Sequence, residues 1–212
     1  MPTVINKIMD GFPFTTITPI IGAPDYETIA EVHLKLNSNA AYVQLNLGCG
    51  TLGLLQLTVS PSVYATLLDT DFIDTVNPGA EPTIPSITSG LQITNLQYAH
   101  DVATTVFNEY DQTDKALWQM FIAAVDKMFI QSLCHRYVEY STTTTRTILD
   151  HMYATYANIS SSDLQDNDAK LRAPYDVKSP IEALIDQVEG AIEYAAAGNT
   201  PYTPLQVVGI TY

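Results

Sequence analysis

The sequence is poor in basic residues and in cysteine. Nine Lys and Arg residues stand against 23 Asp and Glu, which gives a formal net charge of −14. A surface this acidic repels phosphate, so the composition argues against direct binding of nucleic acid by this chain. The two cysteines, Cys49 and Cys134, make neither a disulfide framework nor a structural zinc site, and both are expected to be reduced thiols.

Long apolar runs are also missing. No run approaches the ~18 residues that a membrane span requires. The first residues, MPTVINKIMDGFPF, lack the apolar core of a signal peptide. Hydrophobic residues nevertheless make up 46% of the 212 residues, enough for a sizeable core. The sequence therefore predicts a soluble, cytoplasmic protein with no membrane partner.

Motifs with recognisable chemistry are scarce. The adjacent pair Cys134 and His135 cannot share a metal ion, because neighbouring residues on a helix point ~100° apart. The carboxylates Asp163, Asp166 and Asp168 are typical of a helix start and its solvated face. No G-x-S-x-G, H-E-x-x-H or P-loop occurs. The four histidines are scattered at His33, His100, His135 and His151. We therefore predict no catalytic, cofactor-binding or metal-binding residue, no cofactor, and no enzymatic activity.

What the sequence does contain is helical periodicity, preceded by an arm. Residues 1–24 carry four prolines and two glycines, which predicts an extended N-terminal arm. Residues 25–76 are expected to form a helical and turn segment, with helices beginning at the caps Asp25 and Ser60. Residues 77–90 hold three prolines and two glycines and predict a loop, which is either a domain boundary or a long connection within one domain.

After that loop the pattern is helical throughout. An apolar stripe runs from Leu91 to Tyr110, and Thr113 is expected to open a further helix reaching Tyr140. That helix is apolar nearly all round, which is typical of the centre of a bundle. Ser179 and Thr203 are predicted caps, each followed by proline, and Gly198 a helix end. The expected core residues are Trp118, Phe121, Val125, Phe129 and Tyr153.

The stretch VQLNLGCGTLGLL, from Val43 to Leu55, resembles the first motif of S-adenosylmethionine methyltransferases. Gly48, Gly50 and Gly53 spell G-x-G-x-x-G. A cofactor site of that type needs a long helix directly after the glycines, but TLGLLQLTV ends at Pro61 and leaves no room for one. The glycines are therefore expected to form a tight turn, and a methyltransferase-like enzyme is an alternative interpretation.

A second resemblance covers nearly the whole chain. The ordered series YDQTDKALWQMFIAAVDKMFI, TILDHMYATYANISSSDLQDND and PIEALIDQVEGAIEYAAAGNTPYTPLQVV is similar to the Gag polyprotein of Copia-type LTR retrotransposons, especially the microalgal kind. In that series Ala116, Leu117 and Ile122 match the first helix. Either Leu149 and Tyr153 or Met152 and Tyr156 match the second. Ala197 beside Gly198 is close to the family's A-x-G but not at its spacing.

The resemblance implies a structural role and a mainly α fold, a helical bundle of retroelement capsid type over residues 91–212. Gag forms the shell of the particle and packages RNA through a basic or zinc-knuckle tail. This chain has no such tail, so the expectation is a fragment truncated inside the capsid region, with itself as partner and RNA bound only through a segment absent here.

The arm is the candidate for contacts between subunits. Its apolar side chains either fold back on their own bundle or cover a neighbouring subunit. A third interpretation of the whole chain is a helical adaptor that binds one partner protein. The assembly candidates are Phe12, Phe14, Ile17, Ile20 and Ile21.

Overall fold

A computed structural model describes residues 3–43, 52–68, 74–84, 90–176 and 178–210. The chain is mainly helical, as predicted, and within these ranges the β structure amounts to one antiparallel bridge between His135 and Glu139. Two 3₁₀ segments occupy Leu55–Leu57 and Lys127–Leu133. The helices are α1 Val4–Asp10, α2 Tyr26–Tyr42, α3 Pro61–Leu68, α4 Gly90–Ala124, α5 Thr145–Tyr156, α6 Ser161–Leu171, α7 Ile181–Ala197 and α8 Pro204–Ile210.

The chain divides into two compact units, Met1–Tyr156 and Ala157–Tyr212. The Pro/Gly-rich residues 77–84 lie within the first unit. Within the described ranges, no helix combines the length and the apolarity needed to cross a bilayer.

The first unit is built on α2, α4 and α5, which pack against one another. Helix α2 begins where the sequence predicted: the Asp25 carboxylate accepts from the backbone N–H of Thr28 at 2.9 Å, and the Thr28 hydroxyl accepts from the backbone N–H of Asp25 at 3.0 Å. This reciprocal cap satisfies two N–H groups at the helix start. The three helices supply most of the unit's fully buried side chains: Ile29, Val32, Leu36, Ala40, Ala116, Leu117, Phe121, Ile148, Leu149 and Met152.

The prediction of an extended arm is wrong for Val4–Asp10, which forms α1 and packs against α4. The hydroxyl of Thr3 accepts from the backbone N–H of Asn6 at 3.3 Å and caps the helix. The prolines of the arm flank this stretch instead of interrupting it, so seven consecutive residues are free to become helical. Beyond Gly11, the arm is irregular up to Asp25.

The structure corrects the sequence interpretation of α4 in two ways. Helix α4 is continuous over 35 residues, and Thr113 lies inside it because its hydroxyl bonds back to the carbonyl of Glu109 at 2.8 Å. The helix also ends at Ala124, well before Tyr140. At that end Ile20 donates its backbone N–H to the Ala124 carbonyl at 2.8 Å, and the Asp126 carboxylate caps the following 3₁₀ segment through Met128 N–H.

The second unit is organised around α6 and α7, which pack together. Ser160 and Asp163 form a reciprocal cap at the start of α6, which gives Asp163 the helix-start role predicted for it. The side chain of Asn167, 6% exposed, donates to the carbonyl of Ala191 at 2.9 Å and ties the two helices together. Gly198 ends α7, as predicted.

The two predicted caps of the second unit differ in outcome. The Thr203 hydroxyl accepts from Gln206 N–H and the Gln206 side chain accepts from Thr203 N–H, which confirms the first turn of α8. The prediction for Ser179 is wrong, because α7 begins one residue later with Pro180 as its cap and no side-chain bond. The carbonyl of Ser179 instead accepts from the Tyr175 hydroxyl, and its N–H donates to Asp176, so it belongs to the preceding turn.

The predicted core residues divide into two groups. Phe121 and Val125 are 1% and 2% exposed and lie in the core. Trp118, Phe129 and Tyr153 are only half-buried, so the expectation of full burial is wrong for these three. All three are aromatic, and each contacts another ring. Trp118 packs against Tyr140 in a tilted pair. Phe129 packs edge-to-face on Tyr156, and Tyr153 does so on Tyr26 and His33.

Candidate functional site

The arm divides its five candidate side chains between the core and the surface. Phe12 and Ile17 are buried at 4% and 8% exposure, and Ile20 is half-buried. Phe14 is 41% exposed and Ile21 is 95% exposed. The arm therefore folds back on its own unit, which was one of the two alternatives, while Phe14 and Ile21 remain on the surface.

A residue that sequence reasoning missed holds the arm in place. Asn39 on α2 is completely buried, and its side chain accepts from Phe14 N–H and donates to the Phe14 carbonyl, each at 2.9 Å. The amide thus pairs with the backbone as a neighbouring strand would. The sequence does carry a signal for this role, since Asn39 lies beside Leu36 and Ala40 on the apolar stripe of α2. An asparagine on such a stripe is buried, and a buried amide needs hydrogen-bond partners.

Apolar side chains are also uncovered along the first half of α4. Counting in alternating steps of three and four residues defines a seam that runs from Leu96 to the end of the helix. Its exposure falls steadily along the chain: the first three seam residues are exposed, the next two half-buried, and the last four at most 3% exposed. In order, the seam is Leu96, Ala99, Ala103, Val106, Tyr110, Thr113, Leu117, Met120 and Ala124.

Other sides of this half-helix do have neighbours. His100 Nε2 lies 3.2 Å from the carbonyl of Gly79, so the 74–84 segment contacts α4 there. Just past this half, near Asp111 and Lys115, the helix shares a cavity with Ile5 of α1. The outer part of the seam, at Leu96 and Ala99, has no comparable cover from the described residues. An apolar surface left open on an ordered helix is typical of a contact site.

The cavity beside α1 has a volume of about 580 Å³ and mixes aromatic walls with polar groups. Trp118 and Tyr140 form an aromatic corner with ring centroids 5.9 Å apart. Asp114 accepts from Thr145 N–H at 3.0 Å, and burial raises the pKa of its carboxyl group. Its carboxylate therefore caps α5, where the unpaired N–H groups and the helix dipole favour negative charge. This geometry gives Asp114 a structural role.

The histidines have hydrogen-bond partners that account for their positions. His33 is half-buried between α2, α5 and the segment after Gly53: its Nδ1 lies 3.1 Å from the Tyr153 hydroxyl and its Nε2 3.1 Å from the Thr58 carbonyl. Because a carbonyl only accepts, Nε2 carries the proton and Nδ1 accepts from Tyr153. Burial lowers the pKa of His33, against smaller opposing effects of the Thr58 bond and Asp150.

Elsewhere the histidines contact main-chain or hydroxyl groups. His151 Nε2 lies 3.1 Å from the Phe129 carbonyl, and His135 Nδ1 accepts from Tyr137 N–H. Cys134 is a free, half-buried thiol, whereas Cys49 lies outside the described residues. Across the ranges that the structure describes, no three His, Cys, Asp or Glu side chains are grouped so that they could hold a metal ion.

Of the glycine-rich stretch, only Gly53 lies within the described residues; Gly48 and Gly50 do not. Gly53 has φ +49°, and a Cβ there would lie 2.3 Å from the carbonyl oxygen of Val43, so only glycine fits. The next residue, Leu54, donates its N–H to the Ala40 carbonyl at 2.9 Å. Gly53 thus serves a tight turn that closes the end of α2, followed by the short 3₁₀ segment Leu55–Leu57.

The side chain of Arg146 joins three parts of the first unit. Arg146 on α5 donates to the Gln56 carbonyl at 3.2 Å and to the Asp74 carboxylate at 3.2 Å. Tyr110 reaches the same carboxylate, and burial raises the pKa of its hydroxyl to about 12. These contacts fix the residues around the inner end of the exposed seam.

The fold is that of a mainly helical protein whose ordered surface carries uncovered apolar side chains. Comparisons of the chain with protein-family models, with curated proteins and with solved structures find no match.

Proposed function

We propose that this chain is a structural, Gag-like capsid protein of a Copia-type LTR retrotransposon, which self-assembles into virus-like particles in the cytoplasm. The observation that carries the proposal is the apolar surface on ordered elements of a strongly acidic chain. Ile21 is 95% exposed on an arm whose position is fixed by Phe12, Ile17 and Asn39. A shell needs weak contacts repeated between identical subunits, and fixed apolar side chains supply them without a pocket.

The helical fold and the absence of a recognisable catalytic motif in the sequence agree with a structural role. RNA packaging is assigned to a segment outside this chain, because 14 excess negative charges oppose phosphate binding. The same charge opposes contacts between copies. Assembly is therefore expected to strengthen as salt shortens the Debye length, from ~10 Å at 0.1 M to ~3 Å at 1 M.

Electron microscopy and light scattering of the purified chain across this salt range test the proposal. We expect scattering to rise with salt and with protein concentration, and particles to appear in the same samples. Ile21→Ser is expected to weaken assembly and to leave the unfolding midpoint unchanged, since Ile21 makes little contact with its own unit.

Val76→Ser is the matched control, because Val76 is 77% exposed and lies outside the arm. A chain that stays monomeric at every salt and protein concentration contradicts the proposed function. Equal assembly of the parent and the Ile21 variant contradicts the role of the arm alone.

A further inference from the structure

Helix α4 presents the same seam to two different surroundings. Its last four seam residues, from Thr113 to Ala124, pack in the core of the unit, while Leu96, Ala99 and Ala103 are exposed. An apolar seam with alternating steps of three and four residues is typical of a helix that packs against another helix. The exposed half keeps the spacing of the buried half, so it has the pattern of a helix contact without a helix against it in the described residues.

The charges of this segment fit a copy of itself. Residues 90–108 contain one charged side chain, Asp101, in a chain with 32 charged residues, since nine are basic and 23 acidic. Two such segments approach one another with little repulsion, although the rest of the surface is acidic. Ala99 and Ala103 are small and lie one turn apart, which lets two helix backbones come close.

We propose that the seam Leu96–Val106 docks against the same seam of a second copy, as an antiparallel helix pair. In that register Leu96 faces Val106 of the second copy and Ala99 faces its Ala103, with the two-fold axis near residue 101. This inference rests on the proposed self-assembly and names one of its contacts.

The direction of the pair follows from electrostatics. An antiparallel pair places Glu109 and Asp111 of each copy beside the first turn of the other helix at Gly90, a turn that holds no acidic residue. The helix dipole favours carboxylates there. A parallel pair brings the acidic turns of both copies together.

The size of the contact sets its strength. From Leu96 to Val106 the seam is ~15 Å long at 1.5 Å per residue, so the pair belongs to the class of weak interfaces that bury less than ~1,200 Å². Weak association is what a reversible lattice contact requires. The pair is therefore expected to form at high protein concentration and to separate on dilution.

Sedimentation velocity of the full chain over a range of concentrations tests the proposal. Leu96→Glu is expected to weaken dimer formation by at least ~10-fold. Each copy contributes the substituted residue to the symmetric contact, so two unpaired carboxylates are buried per dimer. The matched control is Tyr98→Glu, since Tyr98 is 69% exposed and lies ~200° away around the same helix. It adds the same charge and is expected to leave the dimer intact.

Cysteine cross-linking tests the register in a Cys49→Ser/Cys134→Ser background. A mixture of Ala99→Cys and Ala103→Cys chains is expected to form disulfide-linked heterodimers faster than either chain alone forms homodimers. Faster homodimers overturn the antiparallel register. Equal dimerisation of Leu96→Glu and the parent overturns the seam contact, even if particles still form. A chain that never associates overturns both the seam contact and the proposed function.

Discussion

The two halves of α4 make a comparison within one helix. The seam continues through both halves with the same spacing. Its residues are in the core in the second half and exposed to solvent at the start of the first half. Periodicity reports which face of a helix is apolar, but the partner that covers the face comes from the rest of the fold. In this protein α2 and α5 pack against α4. The seam is buried from Thr113 onwards and exposed from Leu96 to Ala103.

The largest expected difference between the halves is in stability. Leu96 and Leu117 lie three heptads apart on the same seam, on the same side of the helix to within ~60°. Leu117 is 0% exposed and Leu96 is 42% exposed. We expect Leu117→Ala to lower the free energy of unfolding by about 2–5 kcal/mol and Leu96→Ala to change it by less than about 0.5 kcal/mol.

Urea unfolding followed by the fluorescence of Trp118, the single tryptophan of the chain, measures both changes. The measurement is made at low protein concentration, where copies are separate. Similar losses for the two leucines would mean that the first half is also packed, and the comparison would fail.

A second difference concerns buried amides. Asn39→Ala removes both partners of the Phe14 backbone and is expected to cost about 2–3 kcal/mol, because two part-buried main-chain groups lose their hydrogen bonds. Asn95→Ala, on the exposed half of α4, serves as the control and is expected to change stability by less than about 0.5 kcal/mol. Amide hydrogen exchange of the 12–18 segment should accelerate only in the Asn39 variant. Unchanged exchange there would show that the arm is held by other contacts.

The pH dependence of stability provides a smaller effect on the buried side of the comparison. Burial lowers the pKa of His33 in the folded chain below its ordinary value of 6.5. As the pH falls, the unfolded chain therefore takes up the proton before the folded chain does. The contribution of neutral His33 to folding stability is complete above pH 6.5 and is lost as the pH falls towards the pKa of the folded chain.

We expect the parent to lose stability between neutral and mildly acidic pH, and His33→Gln to lose less over the same interval. Protonation also forces Nδ1 to stop accepting from Tyr153, which loosens α2 from α5. Parallel pH profiles for parent and variant would exclude His33 as the source.

Local signals in the sequence predicted most of the helix boundaries, although the cap predicted at Ser179 is wrong. Four predicted helix boundaries are also boundaries in the structure, because a cap involves only residues within one turn. They are Asp25, Ser60, Thr203 and Gly198. Thr113 shows the limit of that reasoning, since its hydroxyl has a second option within a continuous helix.

Features that depend on distant contacts could not be predicted in this way. At the end of α4, the Ala124 carbonyl accepts from the N–H of Ile20, which is more than 100 residues away in the chain. Likewise, the burial of Phe12 and Ile17 depends on Asn39, whose partner is the arm backbone. For the candidate site, the sequence indicated apolar arm residues and the α4 stripe. Which of them remain on the surface is decided by tertiary packing.

Hydrogen exchange along α4 at two protein concentrations tests the central claim most directly. If the exposed half is a contact between copies, peptides covering residues 95–106 gain protection at high concentration. Peptides covering residues 113–124 are protected equally at both concentrations, because their partners are in the same chain. Protection of residues 95–106 that stays the same at every concentration would contradict the account.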